Sequence, residues 1–157
     1  MRSLFRLLAI TALMSMSLIS ASFADNAKAT KSTEKMHRVA IQVNENDPAV
    51  MNLALNNATN IIEYYRKKGE LVEVNIVTYG PGLHMLRNIS PVQDRIKQLK
   101  NLAFPSKIEF SACNNTKQSM EKREGQSIAI LPEASLVPSG VVTLMELQED
   151  GWSYVRP

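Results

Sequence analysis

Cys113 is the single cysteine of the chain and the residue with the most chemistry to offer. It follows Lys107 to Ala112, a strand-like run with Ile108, Phe110 and Ala112 on one face. Directly after it come Asn114, Asn115 and Thr116, where a short polar helix, Asn115 to Glu124, is expected to start and to stop at Gly125. A thiol at a helix N-terminus meets the positive end of the helix dipole and free backbone N–H groups. Both favour thiolate and lower the thiol pKa. Lys117, Lys122 and Arg123 add positive charge nearby. Thiolate is the species that attacks sulfur or becomes oxidised. The same position equally suits a small buried residue at a strand end, and residue type and place alone do not separate the two.

A second stretch, Tyr79-Gly80-Pro81-Gly82-Leu83-His84, follows a second strand. Glycine on either side of proline lets the backbone fold sharply. Successive N–H groups in such a loop form an anion-binding concavity, or the loop is a plain connection. It lacks the GxGxxG dinucleotide fingerprint, is no P-loop, and shows no clean helix start. His84 is a candidate acid/base, or a hydrogen-bond partner for a thiolate across the strand ends. His37 begins the first strand, at the opposite end of the sheet, and receives no role. One cysteine and two histidines at scattered spacings do not assemble a metal site, and no cofactor is expected. No GxSxG elbow marks a serine hydrolase.

The elements that must hold these residues follow from the apolar periodicity. Arg38 to Val43 is of strand length. Asp47 and Pro48 cap a long amphipathic helix with Val50, Leu53, Ala54, Ala58, Ile61, Ile62 and Tyr65 as its stripe, ending before Gly69. Leu71 to Thr78 is the second strand. Ser90-Pro91-Val92-Gln93 opens a helix whose stripe is Val92, Ile96, Leu99 and Leu102, and Pro105 ends it. After the helix that starts at Asn115, Ile128 to Ile130 and Leu136-Val137 are short strand candidates. Ser139-Gly140 opens a last helix to Glu149, with Val141, Leu144, Met145 and Gln148 on one side. Trp152 to Val155 is a terminal strand. This alternation predicts an α/β three-layer sandwich, a mainly parallel five-stranded sheet flanked by helices with right-handed crossovers. Ligand and catalytic groups of such sheets gather beyond the C-terminal strand ends, which singles out the turns after the second and third strands.

The chain has 157 residues and 45% hydrophobic residues, enough for one domain with a core. Arg2 and Arg6, the short apolar run Leu7 to Ile19 and Ser22-Phe23-Ala24 read as a secretory signal peptide, 1–24, cut after Ala24. A polar leader, 25–35, and a single domain, 36–157, follow. The expected address is the periplasm, with no membrane attachment after cleavage. Segment 1–24 holds two arginines and no acidic residue, so the mature chain carries 16 basic and 15 acidic residues. That balance offers no electrostatic footprint for nucleic acid. An exported chain with one cysteine has no disulfide partner of its own.

Four stretches resemble the DsrE/DsrF-like family, in a small exported branch. They are Tyr79 to Leu86, Phe110 to Thr116, Val137 to Val142 and Leu147 to Pro157. The resemblance implies a three-layer α/β fold and homo-oligomers, commonly trimers or hexamers. It also implies that Cys113, matching the cysteine after the third strand of sulfur-relay members, carries persulfide sulfur. Here the following residues are Asn-Asn-Thr rather than a small, Ala-rich run, and a shared fold does not by itself transfer activity.

Three functions follow. The first is a sulfur carrier rather than a turnover enzyme: Cys113 takes sulfane sulfur from a donor and passes it to an acceptor protein, with Gly80, Pro81, Gly82 and His84 shaping the pocket beside Asn114, Asn115 and Thr116. The second is a binding or interaction module whose glycine loop holds a small anion. The third is a redox-responsive thiol, oxidised reversibly.

Overall fold

Side-chain alternation along the strands decides which layer each residue joins. The computed structural model describes residues 36–157; the expected signal peptide at 1–24 and leader at 25–35 lie outside the described residues. The elements run β1 (Met36–Val43), α1 (Pro48–Lys67), β2 (Leu71–Thr78), a 3₁₀ helix (Gly80–Leu86), α2 (Gln93–Leu102), β3 (Lys107–Cys113), α3 (Asn114–Glu124), β4 (Ser135–Val137), α4 (Gly140–Glu149) and β5 (Ser153–Val155). The sheet has five strands in the order β4-β3-β2-β1-β5, and every ladder in it is parallel. The predicted three-layer α/β architecture is therefore present.

The order explains the layers. From β1 through β4 each crossover steps toward the same edge, so right-handed connections put α1, α2 and α3 on one face. The step from β4 to β5 reverses direction and sends α4 across the other face. Burial agrees. Val39, Ile41 and Val43 of β1, Val72, Val74 and Ile76 of β2, and Ile108, Phe110 and Ala112 of β3 join the main core with α1, α2 and α3. Ala40 and Val77, of opposite parity, pack with Leu144 of α4, flanked by Tyr79 and Leu147. Cys113 shares the parity of Ser111, so its side chain points to the face covered by α4.

Several helix stripes are rotated from their predicted phase. The buried residues of α1 are Met51, Ala54, Leu55, Ala58 and Ile62, while Leu53 is 45% exposed. In α2, Ile96 and Leu99 are buried and Leu102 is exposed; Ser90 Oγ accepts the Val92 N–H at 3.2 Å, and regular helix begins only at Gln93. In α4, Leu144 faces the sheet, whereas Val141 and Met145 stand in solvent. Asp47 caps α1 as expected, accepting the Ala49 N–H at 2.7 Å. Trp152 precedes β5 rather than belonging to it.

Two further corrections concern the segments near the site. Gly80–Leu86 is helical rather than a loop, because Leu83, Met85 and Leu86 are drawn wholly into the core. Gly82 makes this helix fit: a Cβ there would stand 2.2 Å from Val43 O and 2.8 Å from Asn44 Cα. Ile128–Ile130 forms no strand of the sheet. It is tied to the end of the 3₁₀ helix, with an antiparallel bridge between Ile130 and Arg87, Asn88 N–H donating to Ala129 O and Leu131 N–H to Leu86 O.

Candidate functional site

Cys113 ends β3 and caps α3. Its φ of −67° and ψ of 114° keep it extended, and its Sγ accepts the Thr116 N–H at 3.4 Å. The sulfur does for α3 what an N-cap oxygen ordinarily does. Register continues past the ladder so that Tyr79, after β2, lies beside Cys113. Above both sits the first residue of α4. A Cβ on Gly140 would be 3.0 Å from Tyr79 Cβ and 3.3 Å from Cys113 Cβ, so only glycine lets the α4 backbone come this near.

Two helix N-termini therefore converge on one sulfur, and the electrostatics follow. Burial pushes the thiol up. Hydrogen bonds from the Thr116 hydroxyl and from the N–H groups of Gly140, Thr116 and Asn115 more than reverse this, leaving it below its ordinary value of 9.0. The source differs from the sequence-based expectation. Lys117 ion-pairs with Glu121 at 2.5 Å, one helical turn on, and backbone N–H groups and the Thr116 hydroxyl lower the thiol pKa instead. Cys113 is a free thiol, only 4% exposed.

The glycine segment does reach this site, but through an intermediary. Gly80, at φ +52°, donates its N–H to Thr116 Oγ1 at 2.9 Å. Pro81 and Gly82 then turn the chain onto the C-terminal end of β1, away from the sulfur. His84 does not join the thiol. Its Nδ1 lies 3.5 Å from Arg87 Nη1, and Arg87 makes two 2.8 Å bonds to Glu124, at the C-terminal end of α3. At 1.5 Å per residue that end is about 15 Å along the helix from its start. Burial and the adjacent Arg87 guanidinium lower the His84 pKa. Asn115 N–H also donates to Pro138 O at 3.3 Å, binding the turn after β4 to α3. Asn114 begins α3 beside the cap.

Sequence reasoning missed Gly140 and Tyr79 as neighbours of the sulfur. The Ser139-Gly140 helix start was visible, but its approach to Cys113 depends on the crossover of α4 to the second face. His37 is remote, as expected: it stacks on Tyr65 at 3.7 Å between ring centroids and pairs with Glu70. Among the described residues no cluster of three or more His, Cys, Asp or Glu side chains forms a metal site. None of the helices described is long and apolar enough to cross a membrane.

The fold and site define a parallel α/β domain with one polarised thiol at a strand-to-helix junction. The DsrE/DsrF-like family model matches residues 37–157, and the chain belongs to that family. A solved protein of unknown function from Methanobacterium thermoautotrophicum is similar, at 27% identity and a TM-score of 0.65, the match covering 77% of this chain and 99% of that one. A conserved protein of unknown function from Bacteroides thetaiotaomicron matches at 17% identity and a TM-score of 0.48, over 76% of this chain and 94% of its own. A search among curated proteins finds no match.

Proposed function

We propose that the protein is a periplasmic sulfur carrier and that Cys113 is the atom on which sulfur travels. The observation carrying this reading is the set of donors from two helix N-termini around a single free thiol. Family membership supports the same chemistry. The Cys113 thiolate attacks the outer sulfur of a low-molecular-weight persulfide or polysulfide. One S–S bond forms, one breaks, and the donor leaves as thiolate with the bonding electron pair, so there is no net oxidation. The persulfide anion on Cys113 has the same charge as the thiolate and takes the same donors. An acceptor thiolate then removes the outer sulfur by the reverse exchange. Neither step needs a cofactor.

The test is the intact mass of the protein after incubation with inorganic polysulfide. The carrier gains sulfur on Cys113, and Cys113→Ser gains none. A wild-type mass that stays unchanged refutes the reading.

The 4% exposure of Cys113 favours a second reading, a binding module in which the sulfur is only a helix cap. Alkylation that occurs only after denaturation selects it. A gain of oxygen from peroxide, without sulfur from polysulfide, selects a redox-responsive thiol.

Export and self-association complete the proposal. The Arg-flanked apolar segment and Ser22-Phe23-Ala24 support cleavage after Ala24, and a periplasmic form that keeps residue 1 refutes it. Leu136, Val141, Val142 and Met145, 47–55% exposed, are apolar surface suited to contact between copies. A trimer or hexamer is expected, and a monomer mass by light scattering refutes it.

A further inference from the structure

We propose that the corner of the domain where Leu102 and Phe104 project beside the last turn of α1 is a docking surface for an anionic lipid membrane. Phe104 is 84% exposed, more than any other large apolar side chain among the described residues. Leu102, two residues before it, is exposed as well. The turn that presents them is braced. Arg66 Nη2, from α1, donates to Leu102 O and, at 3.4 Å, to Phe104 O. Ala103, between the two, is buried and donates its N–H to Leu99 O at 3.0 Å. Ser106 Oγ accepts the Val72 N–H at 3.2 Å, which fixes the far side of the turn to the start of β2. An aromatic ring is thus held out in water, where burial against an apolar phase would be favourable.

The charge around the ring says what covers it. Arg66 and Lys67 lie in the last turn of α1 and Lys68 follows as its cap, all three exposed. Among the described residues none of the three has a carboxylate partner. Tyr64, also exposed, carries Lys68 Nζ 4.5 Å from its ring centroid. Of the carboxylates at this corner, Glu70 is held by His37 and Glu73 by Lys107 at 3.3 Å, which leaves Glu63. Cations at a helix C-terminus complement its dipole. An apolar ring set among them makes an interfacial anchor: the ring enters the headgroup layer and the cations meet lipid phosphate. The chain also enters the domain at this end. Met36 pairs with Leu71 where β1 and β2 start, and the leader before it carries Lys28, Lys31 and Lys35. At full stretch 25–35 spans about 40 Å, so an apolar segment at 7–19 keeps this end near the bilayer until cleavage. On the opposite face α4 ends in Glu146, Glu149 and Asp150 with no basic residue in its last turn, so the domain tilts onto its α1–α2 side. Peripheral contact of this kind replaces the expectation, drawn from the signal segment, that nothing holds the processed chain at a membrane.

Sulfur chemistry plays no part in the test. The processed protein, from Asp25 on, is sedimented with vesicles of phosphatidylglycerol in phosphatidylcholine and with vesicles of phosphatidylcholine alone. Binding to the anionic vesicles is expected at low salt and is expected to fade at about 1 M salt, where the Debye length is about 3 Å. Phe104→Ser is expected to lower the partition coefficient about tenfold, and Lys67→Gln combined with Lys68→Gln by about tenfold or more. Phe104→Trp is expected to bind at least as well as wild type. Ile89, 68% exposed at the other end of α2, supplies the control, and Ile89→Ser is expected to bind as wild type. A wild type that leaves the anionic vesicles unbound overturns the proposal. Equal losses in Ile89→Ser and Phe104→Ser also overturn it, since binding would then belong to any exposed apolar residue. Sedimentation only with native membrane vesicles, lost once protease strips them, assigns the surface to a membrane protein and not to lipid. A Phe104→Ser protein whose mass by light scattering falls below that of wild type assigns the turn to contact between copies, which overturns the lipid reading as well.

Discussion

Gly140→Ala tests whether the convergence of α4 on the thiol is real. The new Cβ would stand 3.0 Å from Tyr79 Cβ, 3.2 Å from Thr78 O and 3.3 Å from Cys113 Cβ. All three contacts are tighter than ordinary van der Waals distance and two of the atoms belong to the backbone-anchored end of β2, so either they or the first turn of α4 must give by a few tenths of an ångström. Overpacking of this kind costs about 1–3 kcal/mol. In a domain of this size each kcal/mol moves the melting temperature by about 4 °C, so a fall of about 4–12 °C is expected. The same movement draws the Gly140 N–H away from the sulfur whose pKa it helps to lower. A hydrogen bond to a charged group is worth about 1.5–3 kcal/mol, and weakening it by half raises the thiol pKa by roughly half a unit to one unit. Calorimetry and thiolate titration read the two effects on one sample. Gly125→Ala is the control. At φ +67° it is strained but meets nothing within 4 Å, so it is expected to lower the melting temperature and leave the thiol alone. A Gly140→Ala protein that melts and titrates with the wild type would refute the two-helix geometry.

Other outcomes follow from the same contacts. Gly82→Ala, with its Cβ 2.2 Å from a backbone oxygen, is expected to be more destabilising than Gly140→Ala by urea titration, since no side chain there can swing aside. The folded-state Cys113 pKa is lowered, so thiolate formation favours the folded state. The stability advantage of wild type over Cys113→Ser is therefore expected to grow as pH rises through the folded pKa and to level off above the ordinary value of 9.0; a gap that shrinks over that range refutes this. The Arg87 guanidinium lowers the Glu124 pKa below its ordinary 4.5. Its contribution is present above that value and lost as pH falls through the lowered one, so melting curves of wild type and Glu124→Gln are expected to converge in acid.

The strands were legible because their chemistry is local. Val39-Ala40-Ile41 is a continuous apolar run, β2 places Val72, Val74 and Ile76 at alternate positions, and β3 alternates Ile108, Phe110 and Ala112 with Lys107, Glu109 and Ser111, signals that neighbouring residues alone supply. The cap at Asp47 and the stop at Gly125 were also readable. Where reading failed, a longer-range contact decided. Gly80-Pro81-Gly82 has the composition of a loop, yet Leu83, Met85 and Leu86 behind it had a core to fill, and filling it coiled the chain into a 3₁₀ helix. That coil carried His84 to Arg87 instead of to Cys113. Ile128–Ile130 is apolar enough for a strand, but the edge position beside β3 belongs to β4. The pairing of Lys117 with Glu121 needed only the four-residue spacing, a local signal present in the sequence.

The unequal faces of the sheet explain why this thiol is both polarised and hard to reach. Among the described residues, three crossovers in one direction thicken one face with α1, α2 and α3, and leave the other to α4. Residues of the thinly covered face cannot all be apolar. Asn75 and Ser111 are buried there and satisfy each other at 2.9 Å, and Tyr154 bonds Gln42 across to β1. Cys113 is the last residue of β3 on that face, at the point where α3 departs to one layer and the start of α4 arrives in the other. A helix N-terminus from each layer thus meets a single atom, which no residue further down the strand could achieve. The same junction closes over the sulfur, because α4 starts so near that a Cβ on Gly140 would stand 3.3 Å from Cys113 Cβ. Access and activation are therefore opposed in this fold: moving α4 to admit a sulfur donor weakens one of the bonds that make the thiol nucleophilic. The Thr116 N–H, which reaches the sulfur from α3 at 3.4 Å, stays with Cys113 when α4 moves, so part of the activation survives the opening that admits a donor.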